Sequence, residues 1–359
     1  MIRLKWYKRI FLLFLVISFP INVFADSGAS TIVMEVNSGR VLYERDADSR
    51  RLIASITKIM TCILTLENMS LDRKVVVGEE VLKMYGTNIY VEMGEKLTVK
   101  DLVYGLMLRS GNDAAAVLAK NVFSSEKEFI SQMNKKAKEI GMTNTTFANP
   151  HGLDEDTKNY STARDMAILS RYAYQNKTYR EIIKTKKYTC KSSLKSYAWY
   201  NRMGLLNEYK SCIGGKNGYT PSAGKTLVSL AEEDGMVLSI VSLKDSDLYN
   251  NHKALYQKYF DEYSLYTIID KDNFKIDQNF VDGDVYIKES FKYPLRDDEL
   301  ERVSTLIEID NKVSKDSKIV GKVVIKFNDK KIGEISIFKK AEKKEDVGIF
   351  QKFKNLFIR

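Results

Sequence analysis

The sequence predicts an α+β fold in which one antiparallel sheet packs against a block of helices. A small all-β domain and a C-terminal amphipathic helix are expected to follow. Three observations predict this order: a strand hairpin at residues 31–44, helical periodicity between residues 55 and 175, and new strand-like runs from residue 213 onward. Strands at both ends of a helical block can join one sheet that the helices cover.

Residues 1–25 are typical of a signal peptide. A basic start precedes the apolar stretch 10–19, which is too short to span a bilayer comfortably, and small residues near Ala25 suit a signal peptidase. An uncleaved N-terminal anchor is the alternative. Under either interpretation we expect an exported protein, and we exclude this segment from fold reasoning.

Composition indicates an ordinary globular protein. The chain has 359 residues, of which 44% are apolar and 29% charged. The net charge is +10, and four of the positive side chains lie in residues 1–25, which leaves about +6 for the remainder. For an exported protein this charge suits anionic lipid or wall polymer. No basic run interleaved with aromatic residues indicates a nucleic-acid surface, so we expect no nucleic-acid partner.

Local patterns predict the elements in chain order. Residues 31–44 form two β-rich runs around Asn37-Ser38-Gly39, which predicts a hairpin. Ser55 opens a helical stretch. Further predicted helices cover residues 102–108, 114–120, 129–140, 162–175 and 250–260. Predicted strands cover residues 216–220, 225–231 and 236–243, separated by turn residues.

Two further segments complete the predicted organisation. We assign residues 26–268 to the main domain and residues 269–341 to a small β-rich domain, in which VVIKFNDKKIGEISIF is typical of a hairpin. Residues 342–359 place apolar side chains at helical spacing among basic ones, which favours a tail lying on a membrane surface. A helix docked on its own domain is the alternative.

Ser55 and Lys58 have the spacing of a nucleophile and its base. A serine is a useful nucleophile only when another group accepts its proton. A lysine three residues later lies on the same helical face. Its ordinary pKa near 10.4 makes it a poor base unless burial or another cation lowers that pKa.

The spacing alone is not specific. The same Ser-x-x-Lys pattern occurs at Ser124/Lys127, Ser192/Lys195, Ser222/Lys225 and Ser336/Lys339. What distinguishes Ser55 is the later occurrence of Ser110-Gly111-Asn112 in a break between helices and Lys216-Asn217-Gly218 on a predicted strand. Taken singly, Ser110 and Asn112 are also ordinary loop and helix-cap residues, and Lys216 an ordinary strand charge. The three motifs in this order are the signature of β-lactamases and penicillin-binding proteins.

Five segments resemble the low-molecular-mass penicillin-binding proteins, the serine D-alanyl-D-alanine carboxypeptidases. They are LIASITKIMT, LMLRSGNDAA, ANPHGLDE, STARDMA and GGKNGYTPSAGKTL. The resemblance covers about residues 28–265, and the β-rich segment and tail match the layout of that family. It implies a β-lactamase/transpeptidase-like fold and a location at the outer face of the bacterial cytoplasmic membrane or the cell wall.

The resemblance also implies roles for the motif residues. Ser55 would attack the carbonyl between two terminal D-alanines of a peptidoglycan stem peptide, with Lys58 as base and Ser110 as proton relay. β-Lactams would acylate the same serine. No cofactor or metal is implied.

The substrate-binding residues are implied in the same way. Asn112 would bind a substrate amide and hold Lys58, while Lys216 would lower the pKa of Lys58 and attract the substrate carboxylate. The N–H groups of Ser55 and Tyr219, beside Gly218, would form the oxyanion hole.

One position departs from the family pattern. Asn217 stands where relatives usually have a threonine or serine whose hydroxyl contacts the substrate carboxylate. An amide can donate a hydrogen bond but cannot relay a proton. Relatives also often carry a carboxylate-binding arginine near the position of residues 247–249, and this chain has none there. A catalytically weak wall-binding or scaffolding homologue, or an endopeptidase, therefore remains an alternative hypothesis.

Other classes fit the sequence less well. A class A β-lactamase shares the motifs but has neither the β-rich segment nor the tail. A phosphate-binding loop at Gly224-Lys225-Thr226 would need a glycine where Tyr219 stands. The two histidines, His151 and His252, lack metal-ligand spacing, and we expect His151 to shape the ANPHGLDE loop. The odd number of cysteines leaves a bond between Cys190 and Cys212 open, while Cys62 is expected to be a buried apolar residue.

Overall fold

The computed structural model describes residues 29–276, 284–310 and 319–340. The predicted signal peptide (1–25) and tail (342–359) therefore lie outside the described residues. Within the described ranges, no helix has the length and apolar character needed to cross a membrane.

The helices of the described chain lie mostly in its first half. They are α1 (Lys58–Asn68), α2 (Val99–Tyr104), α3 (Asn112–Val122), α4 (Glu126–Glu139), α5 (Ala163–Tyr174), α6 (Lys177–Lys184), α7 (Leu205–Glu208) and α8 (Leu248–Glu262). Short 3-10 turns cover Ala54–Thr57, Glu79–Lys83 and Asp297–Arg302, and a π-helical turn covers Gly105–Arg109.

The strands flank this helical block on both sides. They are β1 (Ser30–Glu35), β2 (Val41–Arg45), β3 (Arg51–Leu52), β4 (Lys74–Val76), β5 (Lys96–Thr98), β6 (Tyr160–Ser161), β7 (Lys187–Lys191), β8 (Ser196–Tyr200), β9 (Cys212–Thr220), β10 (Gly224–Glu233), β11 (Met236–Leu243), β12 (Ser264–Ile269), β13 (Val285–Tyr286), β14 (Phe291–Leu295), β15 (Val303–Ile309), β16 (Ile319–Phe327) and β17 (Lys330–Lys339).

The central sheet confirms the predicted joining of early and late strands. Its order is β2-β1-β11-β10-β9, and each neighbouring pair is antiparallel. Every residue of β1 and β11 is buried. Strands covered on both faces are rich in apolar residues, and the Val, Ile, Leu and Met residues of β1 and β11 fit this position, although both strands also contain serines.

Alternate side chains of the sheet enter two different cores. Ile32 belongs to the core shared with helices α1 to α6, whereas its neighbour Val33 belongs to the core under α8. Because successive strand side chains point to opposite faces, the sheet is the middle layer between the helical block and α8. β9 lies at one end of this sheet, so one of its edges borders no other strand of the sheet.

The strands after α8 form two smaller sheets. β12 pairs with β14, and the order β13-β17-β16-β15 makes a four-stranded sheet with its own apolar core. The predicted hairpin is the pair β16 and β17, which turns at Asn328 and Asp329. Arg40 connects these strands to the central sheet by donating hydrogen bonds to Glu299 (2.7 Å) and to the Pro294 carbonyl (2.5 Å).

Most of the predicted helices and central strands are present, while the start of the first helix differs and several short elements were not predicted. The stretch predicted to open as a helix at Ser55 begins with the 3-10 turn Ala54–Thr57, and α1 begins only at Lys58. The β7–β8 hairpin and α6 were not predicted. The bond between Cys190 and Cys212 that the spacing left open is absent, since all three cysteines are free thiols.

Candidate active site

Ser55 lies in the 3-10 turn that precedes α1. The residue before it, Ala54, has a left-handed backbone with φ +49°. The turn is held from the sheet by Thr226, whose hydroxyl donates to the Ile53 carbonyl at 3.0 Å. The serine is therefore presented by a fixed backbone at the junction of the sheet and the helical block.

Lys58 is completely buried one turn after Ser55. Its Nζ lies 3.0 Å from Ser55 Oγ and 2.7 Å from Asn112 Oδ1, and it also contacts the His151 carbonyl oxygen. Two of these neighbours can only accept hydrogen bonds, whereas the serine hydroxyl can also donate. A neutral amine, with two N–H groups and one lone pair, satisfies all three contacts when the lone pair faces Ser55.

Burial and a neighbouring cation favour that neutral form. Burial lowers the pKa of Lys58 well below its ordinary value, and the positive charge of Lys216 lowers it further, while Asp113 acts in the opposite direction. An ammonium without solvent is disfavoured, and a like charge adds to that effect. The expected influence of Lys216 on Lys58 is therefore present.

Lys216 is itself buried on β9, and its Nζ donates to the Asn217 carbonyl oxygen at 2.6 Å. Burial, with a contribution from the Arg202 guanidinium, lowers the pKa of Lys216 to about 7. Arg202 was not identified from the sequence, because it lies just before α7 and belongs to none of the three motifs.

The Ser110-Gly111-Asn112 segment links the π-helical turn to α3. Ser110 adopts a left-handed conformation with φ 65°, and Asn112 starts α3. Asn112 is buried, accepts from Lys58, and donates from Nδ2 to the Tyr85 carbonyl at 2.7 Å. Its predicted contact with Lys58 is present, and the Tyr85 carbonyl takes one of its two amide N–H groups. Ser110 is not among the three partners of Lys58.

Asp113 orders the loop that faces this segment, a role the sequence did not reveal. Its carboxylate accepts hydrogen bonds from the backbone N–H groups of Ile89 (2.9 Å) and Tyr90 (2.7 Å). The same loop contributes the Tyr85 carbonyl that holds Asn112. Asp113 therefore positions Asn112 through the loop, and Asn112 in turn holds Lys58.

Gly218 and Tyr219 bring β9 against the nucleophile. A Cβ atom on Gly218 would lie only 2.7 Å from the Ser55 nitrogen and 2.6 Å from the Thr226 hydroxyl, so only glycine fits. The following residue, Tyr219, has a side chain that is 65% exposed. This close approach brings the Ser55 nitrogen against β9 one residue before Tyr219, the two positions whose N–H groups are expected from the sequence to form an oxyanion hole.

The ANPHGLDE loop closes the site from the helical side. Gly152 has φ +91°, and a Cβ atom there would lie 2.0 Å from the Ala54 carbonyl oxygen. Asp154 accepts from the Thr220 hydroxyl at 2.6 Å, which links this loop to β9. His151 contributes its carbonyl to Lys58 and its Nδ1 to the Leu153 N–H at 3.1 Å. Burial lowers the pKa of His151 to about 3, which makes it a neutral loop residue, as expected.

Comparison with known proteins agrees with this geometry. The D-alanyl-D-alanine carboxypeptidase family matches residues 22–247. A D-alanyl-D-alanine carboxypeptidase of a Streptomyces species is 37% identical over 220 residues, which cover 56% of this chain and 75% of that protein. D-alanyl-D-alanine carboxypeptidase DacF of Bacillus subtilis is 36% identical over 218 residues. This match covers 59% of the present chain and 56% of DacF, so the chain spans little more than half of that relative.

The fold extends the likeness beyond the matched sequence. The crystal structure of penicillin binding protein 5 from Haemophilus influenzae superposes with a TM-score of 0.70 at 26% identity. The superposition covers 86% of this chain and 95% of that one. It therefore includes strands that follow α8 as well as the sheet and the helical block.

Proposed function

The chain belongs to the D-alanyl-D-alanine carboxypeptidase family, and on that premise we propose that it removes the terminal D-alanine from peptidoglycan stem peptides through an acyl-enzyme on Ser55. The observation that carries this proposal is the buried contact of 3.0 Å between Lys58 Nζ and Ser55 Oγ. It gives a serine hydroxyl a neighbouring amine whose pKa burial lowers well below its ordinary value, which favours the neutral form that can accept a proton.

Acylation follows from the contacts of Lys58. The neutral amine takes the hydroxyl proton of Ser55 while Oγ bonds to the carbonyl carbon between the last two D-alanines. The negative charge that develops on the carbonyl oxygen is stabilised by the N–H groups of Ser55 and Tyr219. The ammonium formed on Lys58 is held by Asn112 and by the His151 carbonyl oxygen.

Release of the leaving group needs a proton on its nitrogen. The C–N bond breaks as that proton arrives from Lys58, relayed by the Ser110 hydroxyl, and free D-alanine departs. Water then attacks the ester carbon and gives a proton to Lys58. Lys58 passes that proton to Ser55 Oγ as the C–O bond of the acyl-enzyme breaks, which regenerates the serine hydroxyl and the neutral amine. The peptide shortened by one residue is the second product, so atoms and protons balance over the cycle.

The proposal includes the protein's setting and its inhibitors. Export by the segment 1–25 and contact of the tail 342–359 with anionic lipid would place the site at the outer face of the cytoplasmic membrane, next to wall peptides. β-Lactams would acylate Ser55 because they present a strained amide to the same oxyanion hole. We propose a catalytic domain over residues 26–268 and a small β-rich domain over residues 269–341. The pairing of β12 (Ser264–Ile269) with β14 supports assigning β12 to the second domain as well, which moves the proposed boundary from residue 268 to just before Ser264.

The experiment is release of D-alanine from an acetylated tripeptide ending in D-Ala-D-Ala, measured with the purified protein. We expect turnover by the wild-type protein and none above background by Ser55→Ala. Ser222→Ala is the matched control, since Ser222 also has a lysine three residues later, and it should retain full activity. Equal activity of Ser55→Ala and the wild type would exclude the proposal.

Asn217 supports a second candidate, a wall-binding homologue with weak catalysis, because it replaces the hydroxyl that relatives direct at the substrate. A third candidate is cleavage within a crosslink. A D-alanyl-D-alanine endopeptidase of Escherichia coli is 37% identical over 145 residues, which cover 40% of this chain. Three outcomes separate the candidates. Release of D-alanine indicates the carboxypeptidase, cleavage of a crosslinked peptide indicates the endopeptidase, and neither reaction indicates the wall-binding homologue.

A further inference from the structure

A cleft of about 500 Å³ opens beside the reactive stretch of β9. It lies on the side of the sheet that α8 covers, and α8 begins at its wall. Its lining consists of Glu208, Asn217, Gly218, Tyr219, Lys225 and residues 246–250.

Strand register places Asn217 and Lys225 on the same side of the sheet. Tyr219 lies opposite Lys225, and Asn217 lies opposite Leu227. Leu227 packs in the core under α8, whereas Val228, opposite Lys216, packs in the core of the helical block. Directly opposed residues share a face, so Asn217, Tyr219 and Lys225 face the cleft while Lys216 faces Ser55.

Lys225 supplies the cation of the cleft lining. Its exposed ammonium donates one hydrogen bond to the Ser246 carbonyl oxygen at 3.0 Å, which leaves two further N–H groups for a ligand. The acidic residues of the lining have their own partners. Glu208 pairs with Lys253 at 3.2 Å, and Asp247 accepts from Asn250 Nδ2 at 3.0 Å.

The proposed substrate requires a cation about one residue length from the scissile carbonyl, because its terminal carboxylate lies there. The terminal carboxylate lies one residue beyond the scissile carbonyl, and consecutive Cα atoms are about 3.8 Å apart. With that carbonyl at the N–H groups of Ser55 and Tyr219, the carboxylate falls within one residue length of Tyr219. Cross-strand neighbours such as Tyr219 and Lys225 have Cβ atoms about 5 Å apart, and a lysine side chain easily covers that distance.

We infer that Lys225, together with the side-chain amide of Asn217, receives the terminal carboxylate of the substrate. This role rests on the proposed carboxypeptidase function and makes Lys225 a specificity-determining residue. It explains how a chain with Asn217 and without an arginine at 247–249 can still select a free C-terminus. An ammonium and an amide N–H provide the charge and the directed donor that carboxylate recognition needs.

The test compares two substrates on the full-length protein: the acetylated tripeptide ending in D-Ala-D-Ala and the same peptide with a C-terminal amide. For Lys225→Gln we expect KM for the free acid to rise about tenfold, the effect of losing one charge-assisted hydrogen bond, with kcat little changed. Its preference for the acid over the amide should fall by the same factor. Lys225→Arg should retain the preference. Lys244→Gln removes an exposed lysine just after β11, outside the cleft lining, and should match the wild type.

Three results would overturn the inference while leaving the proposed function intact. In each, the wild type turns over the acid peptide. In the first, Lys225→Gln keeps the wild-type preference for the acid over the amide. In the second, the wild type itself shows no such preference. In the third, only Arg202→Gln removes the preference, which assigns the carboxylate to the other side of β9. Failure of the wild type to release D-alanine or to form a β-lactam adduct would instead contradict the proposed function.

Discussion

Lys58 Nζ lies 3.0 Å from Ser55 Oγ, and its two remaining neighbours, Asn112 Oδ1 and the His151 carbonyl oxygen, can only accept hydrogen bonds. This relationship fixes the direction of proton flow. A neutral amine that donates its two N–H groups to these acceptors directs its lone pair at Ser55, where it can accept the proton of the hydroxyl. The burial of Lys58 and the charge of Lys216 both lower its pKa and so favour the neutral amine that this role requires.

Removing the charge of Lys216 should slow acylation and move its pH dependence. The base form of Lys58 is the active one, so the acylation rate falls as pH decreases through the pKa of Lys58. In Lys216→Met that pKa rises, because a neighbouring positive charge is lost. We therefore expect the midpoint of the rate profile for benzylpenicillin acylation to move to higher pH. An unchanged midpoint would contradict the coupling.

Asp113→Asn should move the same midpoint in the opposite direction. The Asp113 carboxylate raises the pKa of Lys58, so its neutralisation should extend activity to lower pH. Asparagine keeps one acceptor oxygen, and Ile89 and Tyr90 donate to different oxygens of Asp113, so the variant loses one of these two hydrogen bonds and turns an NH2 donor toward the N–H left unpaired. This loss should cost about 1–3 kcal/mol in the free energy of unfolding. The two readouts are a stopped-flow pH profile and a urea titration. A stability loss without a shift of the midpoint would restrict Asp113 to a structural role.

Gly152→Ala should destabilise the protein far more than Gly141→Ala. Both glycines have φ +91°, so both substitutions incur the cost of a left-handed alanine, about 1–2 kcal/mol. An added Cβ at Gly152 would lie 2.0 Å from the Ala54 carbonyl oxygen, whereas one at Gly141 meets nothing within 4 Å. The difference should exceed about 2 kcal/mol in urea unfolding, and β-lactam acylation should fall only in Gly152→Ala. Equal effects would show that the loop does not support the serine turn.

Arg40 should couple the central sheet to the strands that follow α8. It pairs with Glu299 at 2.7 Å, with both side chains largely buried, and its guanidinium lies 4.8 Å from the centre of the Phe327 ring. Arg40→Ala removes this partner while Arg296 (3.5 Å) and Arg302 (3.8 Å) still face Glu299, so the loss should cost about 1–3 kcal/mol. Arg40→Ala and Glu299→Ala should each destabilise, and the double variant should cost less than their sum. Strict additivity in the double-mutant cycle would exclude the coupling.

Much of this architecture could be predicted from periodicity. β1 and β11 are buried along their whole length and rich in Val, Ile, Leu and Met, and α5 shows a clear 3.6-residue pattern, so their type and extent were accessible. The β7–β8 hairpin was missed although its strands alternate exposed and more buried residues, because its turn at Ser192–Lys195 contains no glycine to mark it. The 3-10 turn at Ser55 was missed because it depends on contacts with Gly152 and Gly218, which come from distant parts of the chain.

The site was predictable where motif residues carry the chemistry themselves. Ser55, Lys58, Asn112 and Lys216 meet in the structure as the motif order indicated. Arg202 and Lys225 could not be predicted because neither belongs to a motif. Arg202 matters through the effect of its charge on Lys216, and Lys225 through the face of β10 on which it lies. Such roles depend on strand register and burial, and no local sequence pattern records them.

The most direct test of the central claim is to find the atom that a β-lactam acylates. Full-length protein is incubated with benzylpenicillin, its intact mass is measured, and the labelled peptide is identified after proteolysis. We predict one penicilloyl group per chain, on the peptide that contains Ser55. Ser55→Ala should carry no label, and Lys58→Ala should be labelled only slowly when compared at the same times. A stable adduct on any other residue, or undiminished labelling of Ser55→Ala, would contradict the assignment of Ser55 as the nucleophile.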